Sequence, residues 1–314
     1  MQKEHLSFQS DFGEIVYSVY CPQTPNNILI QIAHGMIEER SKYEAFATFL
    51  CLQGYTIAVS DHRGHGESIG GKSGDYEVGF GEMGENGFER AVQDLLTLTK
   101  ILKQRFNPKH FVLFGHSMGS LLSRRYLQLY EAELDALILM GTPSPNFFAS
   151  LGSKICKKLE AFKYDKVGTK LMNLASVVGF NREFKRRDPL NPHYAWLTRD
   201  LEGAKAYQQR EDYNFSFTLN SFGGLFAGLH QVFSTYPNAK RLDLPILFLS
   251  GDDDPCGEFG NGAHKAYKHL VSQGYHCVQL RLYSGARHEL LLETNKTQVM
   301  REIKEWLDGV FAQN

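Results

Sequence analysis

The chain has 314 residues, of which 42% are hydrophobic and 22% charged, and its formal net charge is −1 at pH 7. The length predicts one large domain or two small ones, and the composition is typical of a globular protein with a substantial core. The near-neutral charge argues against nucleic acid as a partner. The five cysteines are odd in number and scattered, which favours free thiols. Because the sequence shows neither a signal peptide nor an apolar run that could span a bilayer, we expect a cytoplasmic protein.

Short apolar runs alternate with helical patterns in the first third of the chain. The run at 14–20 predicts a strand at the edge of a sheet, whereas those at 27–33 and 55–60 predict buried strands. A helix is predicted over 88–104. Residues 69–87 contain seven glycines, so we expect a long irregular connection there.

The most informative motif stands between a predicted strand at 111–114 and a predicted helix at 121–129. It is Gly115-His-Ser-Met-Gly119, which has the G-x-S-x-G pattern of a nucleophile elbow. Such a turn lifts the Ser117 hydroxyl clear of the sheet and aims the Met118 N–H at an oxyanion on the substrate. The alternative is an ordinary strand–turn–helix joint with a capping serine.

The rest of the chain continues this alternation and interrupts it once. Further strands are predicted at 135–140, 245–250 and 278–283, and further helices over 262–273 and after residue 295. Residues 142–240 carry helical patches but little strand signal. Alternating strands and helices imply a parallel sheet covered on both faces. We therefore predict an α/β core formed by residues 1–141 and 241–314, with residues 142–240 inserted as a helical lid.

A serine hydroxyl is a poor nucleophile until a base takes its proton, so a histidine is needed. In a fold of this kind the acid and the histidine follow the serine, in that order, on loops after later strands. His288 stands at the end of the last predicted strand, whereas the neighbouring His264, His269 and His276 fall in a helix or just before a strand. We therefore predict His288 as the base.

The acid that orients the imidazole is predicted in the loop after strand 245–250. Three aspartates are consecutive there, at 252, 253 and 254. Asp254 stands directly before Pro255, where the turn would direct its side chain toward the imidazole. Asp252 and Asp253 are more typical of loop-capping or solvated residues, so Asp254 is the predicted acid.

Two further loops follow predicted strands. His34-Gly-Met36 follows strand 27–33, and there a glycine would let the Met36 N–H point into the site as a second oxyanion donor. The alternative is a simple turn between a strand and a helix. The loop at 61–68 contains His62 and His65, which we expect to support the loop through internal hydrogen bonds rather than to act in catalysis.

These motifs resemble those of the α/β-hydrolase superfamily, and within it the branch of serine aminopeptidase-like hydrolases, monoacylglycerol lipases and lysophospholipases. The matching stretches are His34-Gly-Met36, Asp61-His-Arg-Gly-His-Gly-Glu-Ser68, Gly115-His-Ser-Met-Gly119, Gly251-Asp-Asp-Asp-Pro255 and Arg287-His288. The resemblance spans nearly the whole chain and implies an α/β-hydrolase fold. It also implies Ser117 as nucleophile, Asp254 as acid and His288 as base, with the Met36 and Met118 amides forming the oxyanion hole.

The predicted lid is aromatic and basic. Residues 142–240 hold 16 of the chain's 39 aromatic residues and carry a net charge of +6, against −7 for the rest. An apolar pocket for an acyl chain would be lined there by Phe147, Trp196, Phe215 and Phe217. The alternative is that these aromatics are the lid's own core. The lysines and arginines could bring the lid into transient contact with a membrane surface, or simply form a solvated face.

The lid also resembles that of bacterial lysophospholipase-like members at 196–200 and 214–220. However, Glu211-Asp-Tyr-Asn214 stands where those members often carry Pro-x-Cys-Gly, so their substrate preference is not carried over. We expect a serine esterase that cleaves lysophospholipids or monoacylglycerols through an acyl-enzyme on Ser117. Alternatives are an aminopeptidase or amidase of the same fold and a catalytically silent ligand-binding protein. No cofactor or metal is expected, and the oligomeric state stays open.

Overall fold

Strands and helices alternate through most of the computed structural model, which describes residues 1–145, 149–175, 177–188, 194–208 and 215–312. The strands are β1 (Gln2–Gln9), β2 (Glu14–Cys21), β3 (Ile28–Ala33), β4 (Thr56–Ser60), β5 (Gly71–Ser73), β6 (Tyr76–Val78), β7 (His110–His116), β8 (Ala136–Met140), β9 (Ile246–Gly251) and β10 (Val278–Tyr283). The helices are α1 (Glu44–Cys51), α2 (Gly87–Phe106), α3 (Met118–Tyr130), α4 (Ala149–Ala161), α5 (Asp165–Ala175), α6 (Val177–Phe180), α7 (Phe184–Arg187), α8 (Leu201–Gln208), α9 (Leu219–Gln231), α10 (Asn261–Ser272) and α11 (Lys296–Phe311).

Eight of these strands form one sheet in the order β1-β2-β4-β3-β7-β8-β9-β10. From β4 to β10 the neighbours run parallel, whereas β2 is antiparallel to both β1 and β4. Parallel neighbours need crossover connections, which the helices supply. The predicted mostly parallel sheet with helices around it is confirmed.

Both faces of the sheet are covered, as the alternation of side chains along β7 illustrates. Phe111 and Leu113 pack with residues of α2, α3 and α10, whereas Val112 and Phe114 pack with residues of α1 and α11. Successive side chains of a strand point to opposite faces, so one strand contributes to two hydrophobic clusters. This double burial explains the continuous apolar runs of the central strands.

Two local expectations were wrong. Residues 14–20 lie in β2, which is not an edge strand because β1 pairs along its outer side, from Gln2 opposite Cys21 to Gln9 opposite Glu14. The apolar residues of β1 are only Leu6 and Phe8, so its local strand signal is weak and pairing with β2 stabilises it. Within the stretch expected to be irregular, β5 and β6 form a two-stranded hairpin.

The residues between β8 and β9 contain α4 to α9 and are anchored to the sheet's helices. Helix α9 contacts α2, α3 and α4, and its Phe222 and Leu229 belong to the same hydrophobic cluster as the core helices. The division into a core of 1–141 and 241–314 and an inserted lid of 142–240 stays a prediction. Across the described ranges, no helix is both long and apolar enough to cross a membrane.

Candidate active site

The turn between β7 and α3 holds Ser117 in an unusual backbone conformation. Its φ is +53° and its ψ is −117°, in a region that side-chain-bearing residues rarely adopt. A Cβ on Gly115 would lie 2.4 Å from the Gly119 carbonyl oxygen, and one on Gly119 would lie 2.0 Å from that of Ala33. Only glycine fits both positions, because the turn brings backbone from two strands and a helix into direct contact.

Ser117, His288 and Asp254 form a continuous chain of hydrogen bonds. His288 Nε2 lies 2.8 Å from Ser117 Oγ, and His288 Nδ1 lies 2.9 Å from Asp254 Oδ2. Asp254 and His288 are buried, whereas Ser117 is half-buried. With Nδ1–H donating to the carboxylate, Nε2 is free to accept the serine proton, and both distances suit proton transfer.

The other two aspartates of the loop after β9 have different partners. Asp252 Oδ1 accepts a hydrogen bond from the Gly285 N–H at 2.6 Å, and Asp253 forms a 2.7 Å ion pair with Arg187. Asp254 Oδ1 accepts the Cys256 N–H at 2.9 Å, which fixes the carboxylate while its Oδ2 faces the imidazole. Of the three, only Asp254 contacts His288 in the described part of the chain.

The loop after β3 contains the residue expected to supply the second oxyanion donor. The Gly35 N–H donates to Glu38 Oε2 at 3.0 Å, and this bond shapes the turn that carries Met36. Met118 is the first residue of α3, where backbone N–H groups have no partner within the helix. Within the described residues, neither the Met36 N–H nor the Met118 N–H donates to a protein acceptor.

His34, His62 and His65 form a buried cluster beside this loop. Their ring centroids lie 4.2 to 6.4 Å apart, and His34 Nε2 accepts the His62 N–H at 2.9 Å, which joins the loops after β3 and β4. Burial lowers the pKa of His62 to about 3 and that of His65 to about 4, and it holds the pKa of His34 well below its usual range. The three rings are therefore neutral at pH 7.

The aromatic residues predicted to line an acyl pocket lie in different surroundings. The Trp196 ring is 4.9 Å from that of His288, and Phe215 is 5.6 Å and Phe217 5.4 Å from His65. Phe217 is fully buried, and Trp196 is 8% exposed. Phe147 lies outside the described residues. A role of these aromatics in acyl binding stays a prediction.

Four buried ionisable residues next to the site were missed from the sequence. Lys42 Nζ lies 2.5 Å from Glu38 Oε1 and 2.6 Å from Glu289 Oε1, and His116 Nδ1 lies 3.3 Å from Glu38 Oε1. Glu289 follows the predicted base and His116 precedes the predicted nucleophile. Their position next to predicted catalytic residues was the available sequence signal for this cluster. It was not sufficient, because charged residues in loops are usually solvated.

The two glutamates of this cluster have opposite pKa shifts. Burial, followed by the neighbouring Glu38 carboxylate, raises the pKa of Glu289 to about 8. Burial also disfavours the charged form of Glu38, but the Lys42 ammonium and then His116 outweigh it and hold the pKa of Glu38 well below its usual range. The buried pair therefore retains one proton at neutral pH.

A strained serine between a parallel strand and a helix, with an imidazole and a carboxylate behind it, defines the class of α/β hydrolases. The chain belongs to the serine aminopeptidase S33 family, whose model matches residues 24–295. The predicted family and fold are confirmed.

Relatives and solved structures agree with this assignment. The chain is 26% identical to a monoacylglycerol lipase of Mycolicibacterium smegmatis over 294 residues, which cover 93% of this chain and 92% of the relative. It is 26% identical to a monoglyceride lipase of Rattus norvegicus over 305 residues, which cover 96% of this chain and 89% of the relative. A thermostable carboxyl esterase from Bacillus coagulans, solved with glycerol, superposes with a TM-score of 0.84 at 26% identity over 99% of both chains. Together with the family, these matches show that the chain is an ester hydrolase.

Proposed function

We propose that this chain is a serine hydrolase that cleaves monoacylglycerols or lysophospholipids through an acyl-enzyme on Ser117. The observation that carries the proposal is the hydrogen-bond chain from Asp254 through His288 to Ser117, with distances of 2.9 and 2.8 Å. The three residues follow β9, β10 and β7, so all leave the same edge of a parallel sheet.

In the proposed mechanism, His288 Nε2 takes the proton of Ser117 as Oγ attacks the ester carbonyl carbon. The carbonyl oxygen becomes an oxyanion, which accepts hydrogen bonds from the Met36 and Met118 amides. His288 then returns the proton to the leaving alcohol, and the acyl-enzyme remains. A water molecule, deprotonated by His288, then attacks the acyl carbon, and His288 returns the proton to Ser117 Oγ as the bond from Oγ to the acyl carbon breaks and the fatty acid is released. Asp254 stabilises the imidazolium in both halves of the reaction.

The substrate class is inferred from the relatives and from the aromatic residues at the site. The two curated relatives described above are named for monoacylglycerol hydrolysis. Trp196 beside His288, together with the half-buried Phe215 near His65, offers an apolar surface suited to an acyl chain. An amidase or aminopeptidase and a silent ligand-binding protein are the alternatives that the experiment must separate.

Contact with a lipid surface is supported by helix α5. Val167, Leu171 and Leu174 follow one another at helical spacing and are 67%, 51% and 58% exposed, and the exposed Lys166 and Lys170 lie on the same helix. Apolar residues beside lysines are typical of helices that lie in a membrane interface. Replacing all three apolar residues by serine should weaken binding to anionic vesicles about tenfold or more. The control Leu52→Ser, at an exposed leucine outside residues 142–240, should not weaken it. Equal binding by both variants would refute the contact.

A cytoplasmic location is the remaining part of the proposal. All five cysteines lie in the described residues and are free thiols, and Cys277 is exposed. Exposed free thiols persist in a reducing compartment. Fractionation of the native host should recover the protein with the cytoplasmic markers, and recovery outside the cell would contradict this location.

Fluorophosphonate labelling tests the central proposal. The probe should label the wild-type protein and not Ser117→Ala, because it reacts with an activated serine. Hydrolysis should be measured beside labelling on monoacylglycerol, lysophospholipid, a graded series of p-nitrophenyl esters and an aminoacyl amide. Labelling of Ser117→Ala would exclude Ser117, turnover of the amide alone would favour the peptidase, and no turnover of any substrate would favour the silent protein.

A further inference from the structure

A buried cluster of four ionisable side chains, Glu38, Lys42, His116 and Glu289, lies behind the site and has no step in the mechanism above. Their side chains are between 0% and 6% exposed. Burying charged groups is costly unless ion pairs and hydrogen bonds compensate for the lost water. The positions of these partners therefore indicate what the cluster holds together.

The loop with the predicted oxyanion donor, the nucleophile and the base are each attached to this cluster. Glu38 Oε2 accepts the Gly35 N–H at 3.0 Å and so holds the loop that carries the oxyanion donor. His116 is the covalent neighbour of the nucleophile, and Glu289 is that of the base. We call residues 34–39, after β3, the oxyanion loop and residues 284–289, after β10, the histidine loop. Movement within the cluster would therefore change the distance between these two loops.

Lys42 joins the two glutamates. Its Nζ lies 2.5 Å from Glu38 Oε1 and 2.6 Å from Glu289 Oε1. Glu38 also accepts hydrogen bonds from the Gly35 N–H and, at 2.9 Å, from the Tyr43 hydroxyl. Because Glu38 is surrounded by donors, the charged form is favoured there. The Lys42 ammonium balances the charge of one carboxylate, that of Glu38. The proton that the buried pair of glutamates retains therefore resides on Glu289.

A metal ion is not needed to explain this arrangement. Ligand atoms of Glu38, His116 and Glu289 lie within 4.8 Å of one another, as they would around a metal. However, the Lys42 ammonium already lies between the two carboxylates at ion-pair distance from each. The cation of this site is therefore part of the chain.

We infer that Glu289 is a positioning residue that holds a proton in the active enzyme. Through Lys42 and Glu38, it keeps the histidine loop at a fixed position relative to the oxyanion loop. The inference rests on the proposed function, since the relative position of the two loops matters only if Ser117 and His288 carry out the chemistry. When Glu289 loses its proton, two carboxylates share one ammonium and repel each other in a buried space.

The surroundings of Glu289 set the pH at which this happens. The groups that face it are Glu38, Lys42, His116 and His288. Burial and then the Glu38 carboxylate raise the pKa of Glu289 to about 8, against the opposing effects of Lys42 and His288. The protonated form therefore prevails at neutral pH and is lost as the pH rises through about 8.

The experiment measures the rate of fluorophosphonate labelling and the kcat and KM for a p-nitrophenyl ester from about pH 6 to about pH 10. In the wild type, kcat should fall about fivefold from pH 8 to pH 9, because the protonated fraction of a group with a pKa of about 8 falls from about one half to about one eleventh, with little change in KM. Glu289→Gln, whose amide resembles the protonated carboxyl, should keep the neutral rate within about twofold and lose the alkaline fall. The exposed Glu305→Gln is the matched control and should follow the wild type.

Several results would overturn the inference. These are an alkaline fall in Glu289→Gln equal to that of the wild type, a wild-type profile that stays flat, and a folded Glu289→Gln that is inactive at neutral pH. If Glu289→Gln does not fold, infrared difference spectra of the wild type must show a protonated carboxyl band that disappears on going to alkaline pH, and its absence would be decisive. Labelling of Ser117→Ala would instead refute the proposed function, so the two failures are distinguishable.

Discussion

The two sides of the candidate site are held by different forces. On the sheet side, Ser117, His288 and Asp254 are fixed by hydrogen bonds of 2.8 and 2.9 Å and by a strained turn. The β8–β9 side, formed by residues between those two strands, contributes Phe215 and Phe217, whose rings lie 5 to 6 Å from that of His65 between centroids. Directional bonds tolerate little change, whereas apolar contacts can be repacked. The difference predicts that chemistry depends on the first side and substrate preference on the second.

Arg287 joins the two sides. Its Nη1 donates to Asp188 Oδ2 at 2.8 Å and to the carbonyl oxygens of Ala195 at 2.6 Å and Thr198 at 3.1 Å. Because Arg287 directly precedes the predicted base, this clamp ties the β8–β9 side to the loop after β10 that carries His288. The β8–β9 side is therefore anchored at one end by polar bonds.

The largest effect is expected for the nucleophile. Ser117→Ala removes the only atom that can form the acyl-enzyme, so kcat should fall on the order of 10⁶-fold, by analogy with other serine triads. The melting temperature should change little, because the serine is half-buried and its turn depends on backbone contacts. Ester turnover by the variant close to the wild-type rate would contradict the division into two sides.

The next largest effect is expected for the acid. Asp254→Asn should lower kcat by about 10⁴-fold, because the amide no longer stabilises the imidazolium or fixes its tautomer. Asp252→Asn and Asp253→Asn are matched controls two residues and one residue away, whose carboxylates bind Gly285 and Arg187 instead. The acid would be misassigned if either control lost more activity than Asp254→Asn.

The β8–β9 side is tested by the length of the acyl chain. Each buried methylene contributes about 0.8 kcal/mol, so extending an ester from four to eight carbons should raise kcat/KM by up to a few hundredfold. Trp196→Ala or Phe215→Ala should flatten this dependence and leave short esters nearly unaffected. A wild-type preference for acetate that declines steadily with chain length would contradict a role of these rings in acyl binding.

The smallest effects concern the joint between the two sides. Arg287→Met should lower the free energy of unfolding by about 3 kcal/mol, because it leaves a partly buried carboxylate and two carbonyl groups without their donor. Arg187→Met, which removes an exposed ion pair with Asp253, should cost less than about 1 kcal/mol. Denaturant unfolding of the two variants compares them directly, and equal losses would show that Arg287 is not a clamp.

Features that depend on a few neighbouring residues were predictable from the sequence. The turn at Ser117 needs two glycines at fixed positions, and the runs around it show a strand and a helix. The candidate base could be chosen because a single histidine, His288, lies in the loop that directly follows the last strand. Strand β1 was missed because its stability comes from pairing with β2 rather than from its own weakly apolar residues.

Features that depend on distant residues could not be found in this way. Glu38 and Glu289 are 251 positions apart in the chain but share Lys42 within 2.6 Å, and no local pattern distinguishes them from solvated charges. Likewise, three consecutive aspartates offer the same chemistry, and only the path of the loop after β9 directs Asp254 toward His288. Local motifs thus specify the reacting groups, whereas burial and long-range packing decide which charges surround them, because these depend on how the whole chain folds.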